Sequence, residues 1–206
     1  MTDWTTRRRL LQLTGAGLAL SLAGCTSGGS ETDQTTSATT AGQSNNTTTT
    51  AATTTRTATP EDPSEPSGDT TVEMWTEGSE TGFAPDIVWV EQGATVTWKQ
   101  VSGVHSATAY HLDYDQPTRI PDEAEPWDSE VLVDEGAVFE HTFEVEGVYD
   151  YFCTPHEKVG MLGTVIVGKP SPDGQPGLEP PQKMLPEEAQ KKIEELNERT
   201  KKILDG

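Results

Sequence analysis

The stretch Cys153-Thr154-Pro155-His156-Glu157-Lys158-Val159-Gly160-Met161 puts a thiol, an imidazole and a thioether close together, spaced Cys-x2-His-x4-Met. Soft sulfur donors with imidazole select copper among the common metals. A thiolate with two imidazoles and a weak, long axial thioether suits one-electron cycling of that metal. Such a set needs a second imidazole from elsewhere in the chain.

Four histidines are present, so His105, His111 and His141 are the candidates. His105 and His111 are six residues apart. On a continuous strand that is about 20 Å at about 3.3 Å per residue, so only one of them can join a given ion. His105 directly follows a strand-like run, Thr95-Val96-Thr97-Trp98, and precedes Cys153 by 48 residues, enough for intervening strands to bring the chain back. Two other chemistries compete for the same residues. A Cys153–His156 nucleophile pair would place base and thiol on one tight loop with no third group to orient them. Zinc would take the thiolate and imidazoles but has no call for Met161.

The elements that must position these residues are short. Apolar or alternating runs separated by Gly, Pro and Asp predict strands at Val72–Trp75, Asp86–Glu91, Thr95–Gln100, His105–His111, Ser129–Val133, Val138–Val145, Val148–Cys153 and Gly163–Val167. Eight strands with turn signals at near-regular intervals argue for an all-β, antiparallel sandwich. Residues 113–128, with Pro117, Pro121 and Pro126, read as a surface excursion. Alternation puts Tyr149, Tyr151 and Cys153 on the core face of their strand. Phe152 then points outward, beside the thiol, as a remote entry surface for electrons. His141 shares a face with Phe139 and Phe143, and neither it nor His111 is assigned a role. Beyond a Pro/Gly linker at 169–185, Pro186–Leu204 reads as a helix. Ala189, Ile193, Leu196, Ile203 and Leu204 lie on one side of it, and Glu187–Lys191 and Glu188–Lys192 form i,i+4 pairs.

Composition sets the outer limits. Of 206 residues 32% are apolar, and the net charge is −20. That supports one core of roughly 100 residues with extensions. It speaks against nucleic-acid binding, because phosphates reward Lys and Arg. The acidity resembles that of proteins from salt-loving archaea. Residues 1–24 read as an export signal: Thr6-Arg7-Arg8-Arg9-Leu10-Leu11 resembles a twin-arginine motif. The apolar run Leu10–Ala23, about 14 residues, is too short to span a bilayer. Leu22-Ala23-Gly24-Cys25 resembles a lipobox, which makes Cys25 the lipidated mature N-terminus. The Thr/Ser-rich segment 25–70 has no apolar periodicity and reads as a disordered tether.

The combination of Gly93-Ala94-Thr95-Val96-Thr97-Trp98, His105, Gly147-Val148-Tyr149-Asp150-Tyr151-Phe152-Cys153-Thr154-Pro155-His156 and Met161 resembles the plastocyanin family of cupredoxins. The signal and the acidity match best its membrane-tethered haloarchaeal members, the halocyanins. The resemblance implies a Greek-key sandwich over about residues 71–168. It also implies one copper held equatorially by His105, Cys153 and His156 and axially by Met161. Where that family follows its first His with Asn, Ser106 stands here and can still donate a hydrogen bond. The implied role is a monomeric electron carrier between redox proteins at the outer face of the membrane. His156 would be the solvent-edge ligand, with Val159, Gly160 and Leu162 as a docking patch. An enzyme of the nitrite reductase or multicopper oxidase kind needs a second, His-rich copper centre, which four histidines cannot build. A copper storage or delivery protein is the other alternative, but it favours repeated exposed Met/His/Cys clusters, absent from the tether.

Overall fold

The computed structural model describes residues 61–206. The export signal, Cys25 and the tether up to residue 60 lie outside the described residues. Among the described residues there are eight strands: β1 Thr70–Glu77, β2 Glu80–Ala84, β3 Ile87–Val90, β4 Thr95–Gln100, β5 Thr108–Ala109, β6 Val138–Thr142, β7 Gly147–Phe152 and β8 Leu162–Val167. One helix, α1, runs Glu187–Asp205. The strands form two four-stranded sheets, ordered β2-β1-β4-β6 and β3-β8-β7-β5. The expected sandwich is present, but the sheets are mixed: β1 runs parallel to β4 and β3 parallel to β8. Ser67, in the segment read as tether, already exchanges backbone hydrogen bonds with Trp89 and Glu91 beside β3.

Side-chain alternation explains the core. Along β4, Val96, Trp98 and Gln100 are buried while Thr95, Thr97 and Lys99 face outward. Trp98 sits against Trp127, Phe139, Phe143 and Tyr151 at ring-centroid distances of 5.2–6.4 Å. In β7 and β8 every residue is buried, because both faces of these strands are covered. Tyr149, Tyr151 and Val165 fill the space between the sheets. Phe152, Leu162 and Ile166 face the other way, into a second cluster closed by Leu185, Ala189, Ile193 and Leu196. The expected helix stripe is therefore a docked one. Ala189, Ile193 and Leu196 are fully buried and Ile203 and Leu204 partly so. Burying a residue such as Ile193 or Leu196 stabilises by about 1.5–3 kcal/mol. Asp86, just before β3, accepts hydrogen bonds from Lys192 at 2.8 Å and from both terminal nitrogens of Arg199 at 2.8 and 2.9 Å. Burial alone would raise the Asp86 carboxyl, but Arg199 and Lys192 outweigh it and hold the group below its usual range.

Three sequence expectations are corrected by backbone detail. Ser129–Val133 is not a strand: Glu130 takes a left-handed φ of 53°, and Ser129 Oγ accepts from the Ala107 amide at 2.8 Å, so only isolated bridges at Asp128 and Leu132 form. His105–His111 shrinks to Thr108–Ala109, since His105 bridges Leu132 and His111 caps a 3₁₀ turn at Leu112–Tyr114. The hairpin strand β2 was not expected. Its Glu80-Thr81-Gly82 lacks alternation, and Gly82 is needed because a Cβ there would come within 2.9 Å of the Trp75 ring.

The 113–128 excursion is not wholly superficial either, since Arg119, Ile120 and Trp127 are buried. Arg119 Nε donates to Asp150 Oδ2 at 2.8 Å. Its Nη2 donates to the carbonyls of Gly177 at 2.6 Å and Glu179 at 3.0 Å. Thr164 Oγ1 donates to the other Asp150 oxygen at 2.7 Å. Burial pushes the Asp150 carboxyl up, while Arg119 and Thr164 draw it back. This pair ties the excursion, β7, β8 and the C-terminal segment together. Arg119→Ala is expected to cost about 3–5 kcal/mol in denaturant titration, because it strands a buried carboxylate. The double variant Arg119→Met/Asp150→Leu, with no charge left to strand, is expected to lose much less.

Candidate metal centre

His105 lies between β4 and β5 and is fixed at the backbone. Its N–H donates to the Leu132 carbonyl at 3.2 Å, and its carbonyl accepts from Leu132 N at 2.7 Å. Its Nε2 lies 2.9 Å from the Ser102 carbonyl and 3.1 Å from Thr76 Oγ1. A carbonyl can only accept, so Nε2 carries the proton and Nδ1 is left as a free lone pair. That nitrogen faces Cys153 Sγ at 3.6 Å. Cys153 follows β7 immediately and is fully buried, and its Sγ accepts from the Ser106 amide at 3.4 Å. His156 turns its Nδ1 to the same sulfur at 3.4 Å. The two imidazole rings stand 4.9 Å apart.

All three donor atoms lie within 4.8 Å of one another, the one such group of three or more His, Cys, Asp or Glu side chains among the described residues. Metal–nitrogen bonds of about 2.0 Å and a metal–thiolate bond of about 2.3 Å, spread at 120°, separate donors by about 3.7 Å. The two sulfur–nitrogen distances match that triangle. Donor softness and spacing therefore fit copper.

Met161 is fully buried in the same core cluster. Its carbonyl accepts from Cys153 N at 3.0 Å, and its N–H donates to the His156 carbonyl at 3.2 Å. Met161 thus closes the loop backbone to backbone onto both Cys153 and His156. His111 does not join the site: its Nδ1 accepts from the Asp113 amide at 3.2 Å. His141 stacks on Trp127 at 4.8 Å and meets Phe143 edge-on.

The expected hydrogen bond of Ser106 is present, and two further bracing residues carried no sequence signal. Ser106 Oγ accepts from Thr154 N at 2.8 Å and donates to Thr154 Oγ1 at 3.1 Å. Thr108 Oγ1 lies 3.1 Å from Ser106 Oγ and donates to Asp128 Oδ1 at 2.8 Å. Ser106 thus keeps the link between the two ligand loops that the resemblance would have given to Asn. Its position next to His105 flags it, but Thr108 and Asp128 could not have been found that way.

The expectation for Phe152 is overturned. It is buried and packs at a tilt against Tyr110 with ring centroids 4.6 Å apart, beneath α1, so it offers no outward surface. Leu162 is buried by the same helix, and Gly160 runs against Glu188. Of the expected docking patch only Val159 is open, at 64% exposure. Val104, Val131 and Val133 are also exposed, on the loops that carry and bridge His105.

Residues 70–168 match the family of copper binding proteins of the plastocyanin/azurin type. Halocyanin from Natronomonas pharaonis is 34% identical over 110 residues, 52% of this chain and 61% of that protein. The chain therefore spans less than two thirds of that relative's length. Plastocyanin from Scenedesmus fuscus is 31% identical over 99 residues, 48% of this chain and 99% of that one. The crystal structure of native pseudoazurin from Hyphomicrobium denitrificans superposes with a TM-score of 0.50 at 26% identity, covering 64% of this chain and 98% of that one. A thiolate and two imidazoles at the end of a mixed sandwich define a single-copper cupredoxin. The chain belongs to the plastocyanin/azurin family of copper-binding proteins.

Burial pushes the Cys153 thiol up to about 11, with the Ser106 amide pulling the other way. Burial also lowers both imidazoles, and His105 further feels His156. At neutral pH the metal-free site thus holds one thiol proton and no imidazolium. Copper needs the thiolate, so uptake at about pH 7–8 is expected to release one proton per ion. Release should fade above about pH 11, where the thiol is already ionised. Indicator titration in weak buffer measures it, and Cys153→Ser should abolish it.

Proposed function

We propose that the protein is a one-electron carrier, moving electrons between redox proteins at the outer face of a cell membrane. The observation that carries this reading is the dry thiolate–imidazole–imidazole triangle in which only His156 keeps an edge toward solvent. Bound copper supplies the Cu(I)/Cu(II) couple. The chain's residues supply the fixed geometry. Ser102 and Thr76 orient the His105 ring, the Ser106 amide hydrogen-bonds the sulfur, and backbone bonds close the loop from Cys153 to Met161. Donors held this way rearrange little between oxidation states, and hydrogen bonds to the sulfur tune the potential. Met161, buried in the same core cluster as Cys153, would supply the thioether donor in this reading.

The tethering part of the proposal rests on the sequence and on the similarity to halocyanin. Twin-arginine export followed by lipidation of Cys25 would anchor the chain. One acyl chain alone holds a protein only marginally, so stable tethering takes more than one. Among the described residues no helix is long and apolar enough to cross a membrane. Copper storage or delivery is the competing function, and the single donor group among the described residues disfavours it.

Adding Cu(II) to the full-length chain is expected to produce an intense visible thiolate-to-copper band. Ascorbate should bleach it, and, once the ascorbate is removed, one equivalent of hexacyanoferrate(III) should restore it. A colourless complex, or one that passes its copper to a chelator as fast as it is reduced, would overturn the carrier reading. Met161→Gln is expected to keep the band and lower the reduction potential, since the axial ligand tunes it. Voltammetry measures that shift.

A further inference from the structure

Glu157, the residue after His156, turns its carboxylate away from the metal donors. Tyr110 Oη donates to its Oε1 at 3.1 Å, and Gln116 Nε2 reaches its Oε2 at 3.5 Å. Tyr110 is fully buried. Its ring packs at a tilt against Phe152, and its backbone N–H donates to the Asp150 carbonyl at 3.1 Å. It shares its cluster with Leu185, Ala189 and Ile193, at the start of α1. The same helix also meets the ligand loop directly, since a Cβ on Gly160 would lie 3.3 Å from the Glu188 carbonyl oxygen. All of α1 lies beyond residues 70–168, the part matched to the family.

The element that needs this support is weak by itself. Glu157–Val159 is a single 3₁₀ turn, capped by His156 without any side-chain hydrogen bond. Such turns have poor hydrogen-bond geometry and depend on their surroundings. His156 also lacks the ring anchors that Ser102 and Thr76 give His105.

We propose that Tyr110, backed by α1, is a positioning residue for the copper site: its hydrogen bond to Glu157 fixes the 3₁₀ turn and through it the placement of His156. The C-terminal helix is then part of the metal centre's support, beyond covering a sheet. The consequences for copper rest on the carrier reading; the mechanical claim about the loop does not.

The test uses the full-length chain, metal-free and copper-loaded. In the metal-free protein, Tyr110→Phe keeps the ring and removes the hydroxyl. Amide exchange at Val159, Gly160 and Met161 is expected to quicken about five- to tenfold, the effect of one lost hydrogen bond, with β7 and β8 amides unchanged. In the copper-loaded protein the visible band pattern and the potential are expected to shift. Glu157→Gln keeps an acceptor for the hydroxyl and should behave as wild type. Glu157→Ala should reproduce Tyr110→Phe, and the two together should add nothing further. Ile193→Ala, which loosens α1, should quicken the same three amides. Wild-type loop exchange in Tyr110→Phe, or quickening spread evenly over β7 and β8, would overturn the proposal. If wild-type protein takes no copper, the carrier reading falls while the amide exchange still decides the positioning role.

Discussion

Three lone-pair donors must be held within a few ångströms of each other in a largely buried site, and most of the fold answers to that requirement. Left alone, such donors gain nothing from proximity. Burial disfavours a thiolate at Cys153 and an imidazolium at either histidine, and the one thiol proton can serve at most one of the two nitrogens that face it. The arrangement persists because each donor is fixed from behind by contacts that do not involve a metal. Ser102 and Thr76 hold one ring, the Ser106 amide the sulfur, and the Met161 backbone closes the loop. A site built this way is pre-organised for a cation, which supplies the missing partner for all three donors at once.

That rigidity is bought by covering the ligand-bearing strands on both faces. A sandwich sheet with one face in water would show strict alternation, and β4 and β6 do. The strands that flank the Cys153–Met161 loop do not, because α1 closes the second face. The fastening is partly ionic. Asp86 is paired with Lys192 and Arg199, and Arg119 is paired with Asp150 while capping carbonyls of the C-terminal segment. A buried pair contributes little net stability relative to an apolar substitute. Arg119 does define where residues 177 and 179 must lie, and that registers the start of α1 over Tyr110 and Phe152.

The local part of the site was legible because its spacing is short. Cys153, His156 and Met161 announce themselves within nine residues, and geometry allowed only one of His105 and His111. The sandwich class was legible from alternation in Thr95–Gln100 and Val148–Cys153. What failed to show has a common cause: a partner distant in sequence overrode the local pattern. Ser129–Val133 has a strand's composition, but Glu130 turns left-handed and Ser129 spends its hydroxyl on Ala107. Phe152 alternates toward solvent on its own strand, yet a helix 35 or more residues downstream covers it. Arg119 lies in a Pro- and acid-rich stretch whose composition gives no hint of burial, and its partners Asp150, Gly177 and Glu179 are all distant in sequence.

Burial is unequal among the residues at the candidate site, and the inequality follows from where each is anchored. Cys153 and Met161 are flush with strand ends and belong to the core cluster, and His105 is bridged to Leu132. His156 rides on a single 3₁₀ turn outside both sheets, so it alone keeps contact with solvent. A carrier needs one such edge, because a wholly buried centre would be remote from any partner. The exposed residue is then also the one whose position the strands cannot set directly. Support for it must come from the side, and the side is occupied by Tyr110 and the first turns of α1. Access and rigidity, which pull against each other at a metal site, are thereby assigned to different elements: the loop gives access, and the helix beyond the family domain limits its motion.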